Sequence, residues 1–169
     1  RVARIVDLSH FERDGEFREG TGSLVRDRVD RVAYACRSPR THPAPLAAFA
    51  RELGYELEVF DAVGGDGTPL YHTNVLMWIG DGVAAIASAA IRDRAQRERV
   101  LRRLAARREL VELAPAQLAA FAGNALALRG RDGAQLLELS HRAFHALTEP
   151  QRATLRRHSR GLAAPPIYT

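Results

Sequence analysis

Pro69-Leu70-Tyr71-His72-Thr73-Asn74-Val75-Leu76-Met77-Trp78-Ile79-Gly80 decides how the rest of the chain is read. Its second half, Val75 to Ile79, is a continuous apolar run, too short to cross a membrane and rich in strand formers. Gly80-Asp81-Gly82 then signals a turn and Val83-Ala84-Ala85-Ile86-Ala87 returns, which predicts a buried β-hairpin. The polar group Tyr71-His72-Thr73-Asn74 falls on the loop that feeds this rigid sheet. Such loop ends are reachable while the sheet fixes their position, so sites are often built there. A histidine at that place can shuttle protons near neutral pH. Taken alone, His-x-Asn reads as a cap or a plain surface loop.

Upstream, Gly22 to Arg26 and Val32 to Cys36 flank Asp27 to Arg31 and predict another hairpin. Pro43 to Gly54 places Leu46, Phe49, Ala50 and Leu53 at i, i+3, i+4 and i+7, an amphipathic helix that Gly54 stops. Leu57 to Phe60 alternates as a strand. The following Gly64-Gly65-Asp66-Gly67 lacks the Gly-Lys-Ser/Thr ending of a phosphate loop and leads into no helix, so it is a turn. Val2 to Leu8 predicts a strand, and Ser9 to Gly20 a loop.

Downstream, Arg92 to Arg108 predicts a long helix with Ala95, Val100, Leu101 and Leu104 inward. Its Arg94, Arg97, Glu98, Arg102 and Arg103 form a solvated face. Leu110 to Leu113 predicts a strand, and Pro115 to Phe121 a short helix opening at its proline. Gly123 to Leu128 and Ala134 to Leu139 form a third hairpin, followed by a helix from Glu149 to His158 with Thr148 as N-cap. Gly161 to Thr169 is Pro-rich and carries no predicted element.

The 169 residues suffice for one domain with a real core, and 46% hydrophobic with 27% charged content is that of a globular protein. No window approaches the roughly 18 apolar residues of a membrane helix, and no signal-peptide pattern opens the chain. A lone cysteine, Cys36, excludes an internal disulfide, which together point to a cytoplasmic setting. The net charge is +5, with all 25 basic residues arginine. These arginines are spread over helices that also carry Asp and Glu, and no stacking aromatics accompany them, so nucleic acid is not the expected partner. No Cys/His cluster has metal-ligand spacing; His10, His42, His141, His145 and His158 are scattered.

The three hairpins reveal a period. Glu19-Gly20-Thr21, His72-Thr73-Asn74 and Ala122-Gly123-Asn124 precede them at matching places, with spacings 72 − 19 = 53 and 122 − 72 = 50. Each unit runs hairpin, helix, strand, then loop into the next hairpin. Units that cannot close their own sheet stack in a line or in a ring. In a ring, the leading loops point at a common axis, and Glu19, His72 and Asn124 converge there. A carboxylate, an imidazole and a carboxamide in one mouth make an acid/base and hydrogen-bonding constellation. Singly, Glu19 reads as a solvated loop carboxylate and Asn124 as a turn amide.

Glu19-Gly20-Thr21-Gly22-Ser23-Leu24, Tyr34-Ala35-Cys36-Arg37-Ser38-Pro39-Arg40-Thr41, Tyr71-His72-Thr73-Asn74-Val75 and Phe121-Ala122-Gly123-Asn124 resemble the arginine-deiminase-related branch of the amidinotransferase superfamily. Within it they look most like the citrulline-utilising hydrolases, in the right order over nearly the whole chain. The resemblance implies an α/β propeller of five ββαβ units, the pentein fold, of which 169 residues hold about three. It implies a cytoplasmic enzyme that needs no cofactor and no metal, and that acts on a small amino-acid substrate through a cysteine nucleophile. By resemblance, His72 is the acid/base and Glu19 binds a substrate nitrogen. Arg40 grips the substrate carboxylate, a task suited to a bidentate guanidinium. Asn74 stands where arginine deiminases carry aspartate. An amide donates as well as accepts, which favours a neutral ureido group such as that of citrulline over a cationic guanidinium. Asn124 is assigned to substrate binding.

The family's nucleophile lies in a Gly-rich motif near its C-terminus that this sequence does not contain, and the first-unit acidic residue is missing too. Cys36, in mid-strand, reads as a packing residue. The expectation is therefore a single partial propeller domain over residues 1–169, incomplete at both ends and inert alone. The alternative is a catalytically inactive relative that binds a ligand or a partner. The oligomeric state is left open, with unclosed sheet faces that invite self-association.

Overall fold

The computed structural model describes residues 4–164. It has three three-stranded sheets, and each is built the same way. In the first, β1 (Val25–Asp27) pairs antiparallel with β2 (Val32–Cys36). Then α1 (Pro43–Leu53) crosses over, and β3 (Glu56–Phe60) returns parallel to β2. A single helical turn, α2 (Thr73–Leu76), opens the second unit, whose sheet is β4 (Met77–Ile79), β5 (Val83–Ile86) and, after α3 (Arg94–Ala105), β6 (Glu109–Glu112). After α4 (Pro115–Ala119), the third has β7 (Ala125–Arg129) and β8 (Gln135–Leu139). It is completed, past α5 (His141–Ala146) and α6 (Glu149–His158), by β9 (Gly161–Ala163) parallel to β8. These are three ββαβ units of an α/β propeller. The first strands stand side by side, β1 against β4 and β4 against β7.

Burial explains why the units stack. Every residue of β2 and of β5 is buried, so these strands are covered on both faces. In β2 the alternation divides the covering. Ala33 and Ala35 pack with Leu24, Leu46 and Phe49 under α1, while Val32, Tyr34 and Cys36 join the large core shared with the second unit. Burying Leu46 and Phe49 contributes on the order of 2–3 kcal/mol each. Strand β8 buries only Leu137 and Leu139, and on the other face of the third hairpin Leu126, Leu128 and Leu136 are exposed.

A repeated contact joins successive units. Glu56, first in β3, pairs with Arg103 in the last turn of α3, and Glu109, first in β6, pairs with Arg157 in the last turn of α6. The first and the second sheet are each thus tied to the helix of the unit that follows.

The elements differ from the sequence expectations at definable places. The second hairpin begins at Met77, not Val75, because Thr73 to Leu76 coil into α2 with His72 at the N-cap position. Leu53 and Ala95 are exposed, since α1 and α3 are each covered along a narrower stripe than their apolar residues offered. Asp27, expected in a turn, ends β1 and is buried. Its Oδ1 accepts the Val29 and Asp30 N–H groups, so the side chain closes the turn from inside. Residues 4–8 form no strand, and Ser9–Asp14 is a short 3-10 helix; Val2 and Ala3 of the expected strand lie outside the described residues. β9 occupies part of the Pro-rich tail, whose residues 165–169 also lie outside them.

Candidate functional site

The loops leading into β1 and β4 meet on one side of the molecule. His72 Nε2 lies 2.8 Å from Glu19 Oε2, and Arg40 Nη1 lies 3.5 Å from the same oxygen. Three segments thus converge on one carboxylate. The side chains are 18% exposed at His72, 42% at Glu19 and 52% at Arg40, so the cluster is anchored beneath and open above. The tyrosine ring of Tyr71 stands against the His72 ring at 4.9 Å and under the Arg40 guanidinium at 5.3 Å. Its ring thus packs with both the imidazole and the cation.

Backbone geometry sets this arrangement. A Cβ at Gly22 would come within 2.6 Å of the His72 ring, so only glycine lets the imidazole lie against that strand of chain. Gly22 also accepts the Asn74 N–H at 3.2 Å, which ties the two leading loops together. Ser38 Oγ accepts the Arg40 N–H at 3.1 Å and donates to the Tyr71 carbonyl at 2.8 Å. Ser23 Oγ accepts the Glu19 N–H and donates to the Arg40 carbonyl, both at 2.8 Å. Thr73 Oγ1 donates to the Ser23 carbonyl at 2.7 Å and accepts the Cys36 N–H at 2.8 Å. None of these three hydroxyls figured in the sequence expectations. Their only sequence signal is the recurrence of small hydroxyl residues beside Glu19, Arg40 and His72.

Asn74 is half-buried and Asn124 exposed, and neither carboxamide has a hydrogen-bond partner among the described residues. Asn124 makes no contact with Glu19 or His72 through hydrogen bonds; its backbone N–H closes a turn on the Phe121 carbonyl. The third leading loop instead packs tightly beneath the second. A Cβ at Gly123 would collide with the Val75 carbonyl oxygen and the Leu76 backbone. Glu19 also lines a cleft of about 340 Å³ with Val6, Leu8, Phe11, Phe17 and Pro45. His72 and Arg40 do not line that cleft, so the cluster touches it through Glu19 alone.

Cys36 is fully buried in β2, and burial pushes its thiol above the usual range, with the Thr73 hydroxyl partly opposing. A thiolate is disfavoured there, so Cys36 is unsuited to nucleophilic attack. Among the described residues no group of three or more His, Cys, Asp or Glu is placed to hold a metal. His141 and His145 lie with their Nε2 atoms 2.9 Å apart on α5, and His145 packs edge-on against Phe144. No helix of the described residues is long and apolar enough to cross a membrane.

Chemically, the cluster offers an imidazole hydrogen-bonded to a carboxylate, a planar cation beside both, and an aromatic floor. The family described as N,N dimethylarginine dimethylhydrolase, eukaryotic, matches residues 1–169. No curated protein matches the chain. Among solved structures, apo ArgZ, an arginine dihydrolase from the ornithine-ammonia cycle in Cyanobacteria, superposes with a TM-score of 0.68 at 15% identity, covering 88% of this chain and 22% of that one. The product-bound N-terminal domain of ArgZ gives 0.66 at 18% identity, covering 88% and 49%. AgrE in ternary complex with ornithine and NAD+ gives 0.68 at 17% identity, covering 87% and 20%. At such identities the likeness is one of fold. The chain spans about half of the first-domain structure and about a fifth of the longer chains.

Proposed function

From the premise that the chain belongs to the N,N-dimethylarginine dimethylhydrolase family, within the amidinotransferase or pentein superfamily, we propose that it carries the acid/base and substrate-binding part of a cysteine-dependent hydrolase of ureido or guanidino amino acids, with citrulline as substrate. The observation that carries this reading is the meeting of His72, Arg40 and Glu19 on one carboxylate oxygen. Residues 1–169 are read as one part of a larger propeller domain, consistent with the share of the solved structures that they cover. A homo-oligomer and a cytoplasmic setting belong to the same reading.

Glu19 binds a terminal nitrogen of the substrate, and Arg40 turns from Glu19 to the substrate's carboxylate. Asn74, whose carboxamide has no hydrogen-bond partner among the described residues, meets the ureido group as donor and acceptor, and Asn124 adds a further amide at the mouth. A cysteine thiolate from elsewhere in the full protein attacks the ureido carbon. His72 gives its proton to the departing nitrogen as the C–N bond breaks. Water, deprotonated by His72, then hydrolyses the thio-intermediate and regenerates the thiolate. No step calls on a metal or an organic cofactor.

The test is ammonia release from L-citrulline and L-arginine by the full gene product. Turnover of citrulline that disappears in His72→Ala is expected, whereas turnover of arginine alone would sink the assignment of Asn74. A second reading, a non-catalytic ligand-binding relative, is favoured by the burial of Cys36, the single thiol in these residues. Citrulline binding without turnover in the full product would select it.

A further inference from the structure

We infer that Ser23 and Thr73 are positioning residues, a buried hydroxyl joint that fixes Glu19, Arg40 and His72 in one register. The inference rests on the proposed function, because it gives the joint its purpose.

Ser23 and Thr73 are both fully buried, in surroundings where alanine and valine would fill the same space without a polar atom to satisfy. Every hydrogen-bonding group of Ser23 is taken up by a residue of the cluster or its neighbour. Its N–H donates to the Glu19 carbonyl at 3.1 Å, and its hydroxyl accepts the Glu19 N–H and donates to the Arg40 carbonyl. Its carbonyl accepts from Thr73, the residue beside His72. Thr73 passes the connection on by accepting the Cys36 N–H, at the end of the strand from which the Arg40 loop departs. Each hydroxyl uses its one proton and a lone pair, so neither can rotate without breaking a bond.

The joint therefore does what a sheet ladder cannot do here. Glu19, Arg40 and His72 stand on three loops outside any strand, and the main-chain links between these loops are isolated: an Arg18–Thr41 bridge, a long Glu19 N–H contact to the Arg40 carbonyl at 3.3 Å and the Asn74 N–H on the Gly22 carbonyl at 3.2 Å, with no continuous ladder among the described residues. A shift of one loop would move the Glu19 carboxylate out of reach of the His72 imidazole. Hydrogen bonds from side chain to main chain hold loops at defined separations where regular pairing is absent. Functional groups need such support to stay within a fraction of an ångström of productive geometry.

The experiment compares Thr73→Val, Thr73→Ser and Ser23→Ala in the intact protein, with Glu19→Gln as the reference for a broken imidazole contact. The ¹⁵N and ¹H resonances of the His72 ring report the contact directly, and calorimetric titration with L-citrulline reports the cluster as a whole. Thr73→Val and Ser23→Ala are expected to move the His72 resonances at least halfway to their Glu19→Gln positions and to weaken citrulline binding at least tenfold. Thr73→Ser, which keeps the hydroxyl, is expected to leave the resonances in place and binding within twofold. Unmoved resonances in a folded Thr73→Val or Ser23→Ala protein would overturn the inference, as would a Thr73→Ser protein no better than Thr73→Val. Should Thr73→Val not fold, Ser23→Ala decides alone. If the wild-type protein binds neither citrulline nor arginine, the proposed function falls, and the ring resonances still decide the positioning role.

Discussion

Where the first unit meets the second, charges are taken into the interior. Asp27 Oδ2 and Arg108 Nη2 pair at 2.7 Å with side chains only 2% and 6% exposed, and buried Glu58 meets both Arg99 and Arg103 of α3. Where the second unit meets the third, Trp78, Val111, Leu137, Leu139 and Leu155 close around a gap too small for water. The inner polar contacts of that seam include amides, with Gln117 and Gln151 bonded to each other and Gln151 reaching the Glu112 carbonyl, while its ion pairs, Glu109 with Arg157 and Asp81 with Arg129, lie at the exposed rim. The apolar seam supplies stability in proportion to buried area. Buried ion pairs add little net stability, because desolvation offsets attraction, but breaking one is costly. The ionic seam therefore penalises a wrong register more than it rewards the right one, and it is this seam that the Glu19–His72 contact bridges.

The largest expected effect comes from orphaning a charge. Arg108→Ala should destabilise the protein by about 3–5 kcal/mol in urea denaturation, and the double variant Asp27→Asn, Arg108→Met should lose much less. Leu137→Ala, in the apolar seam, should lose about 2–4 kcal/mol with no polar partner change able to restore it. Equal recovery at both seams would erase the distinction between them.

A smaller effect separates the seams by pH. Burial, with the Asp27 charge adding to it and Arg108 opposing, pushes the Tyr34 hydroxyl up to about 12. The unfolded chain releases that proton near pH 10, while the folded chain keeps it. The folded state then binds more protons, so stability falls as pH rises from about 10 to about 12, by on the order of 2 kcal/mol. Tyr34→Phe should flatten the decline in a pH series of denaturation midpoints; an unchanged slope would place the titrating group elsewhere. The smallest effect belongs to the solvent-facing Glu109, whose carboxyl is held low first by His158 and then by Arg157. Glu109→Gln should leave the denaturation midpoint within error at physiological salt, where exposed pairs are screened.

The three hairpins were legible because apolar runs mark them locally, with turn glycines added in the second and third. The period of about fifty residues was enough to align Glu19 with His72. Local patterns misjudged the start of the second hairpin, since Val75 and Leu76 are as apolar in a helical turn as in a strand, and the contacts that accompany the turn, from Gly22 and Ser23 on one side and Gly123 on the other, are distant in sequence. They missed β9, three residues of Gly-Leu-Ala whose strand character comes wholly from pairing with Leu136 to Glu138. Asp27 looked like a turn residue and is one, yet its second oxygen serves a partner 81 positions away, counting 108 − 27. Such pairing leaves no trace in spacing. The role given to Asn74 rests on the resemblance and that of Asn124 on the period that aligns the leading loops, because neither carboxamide has a hydrogen-bond partner among the described residues.

The alternation of Glu56 with Arg103 and Glu109 with Arg157 carries a consequence for synthesis on the ribosome. Each acid leaves the ribosome well before its arginine, 47 residues ahead in the first pair and 48 in the second. At about 5–20 residues per second, a nascent unit waits roughly 2–10 s for the helix that completes it. Until then the buried face of β3 has no cover, and the nascent chain is most exposed to wrong partners just before each helix emerges.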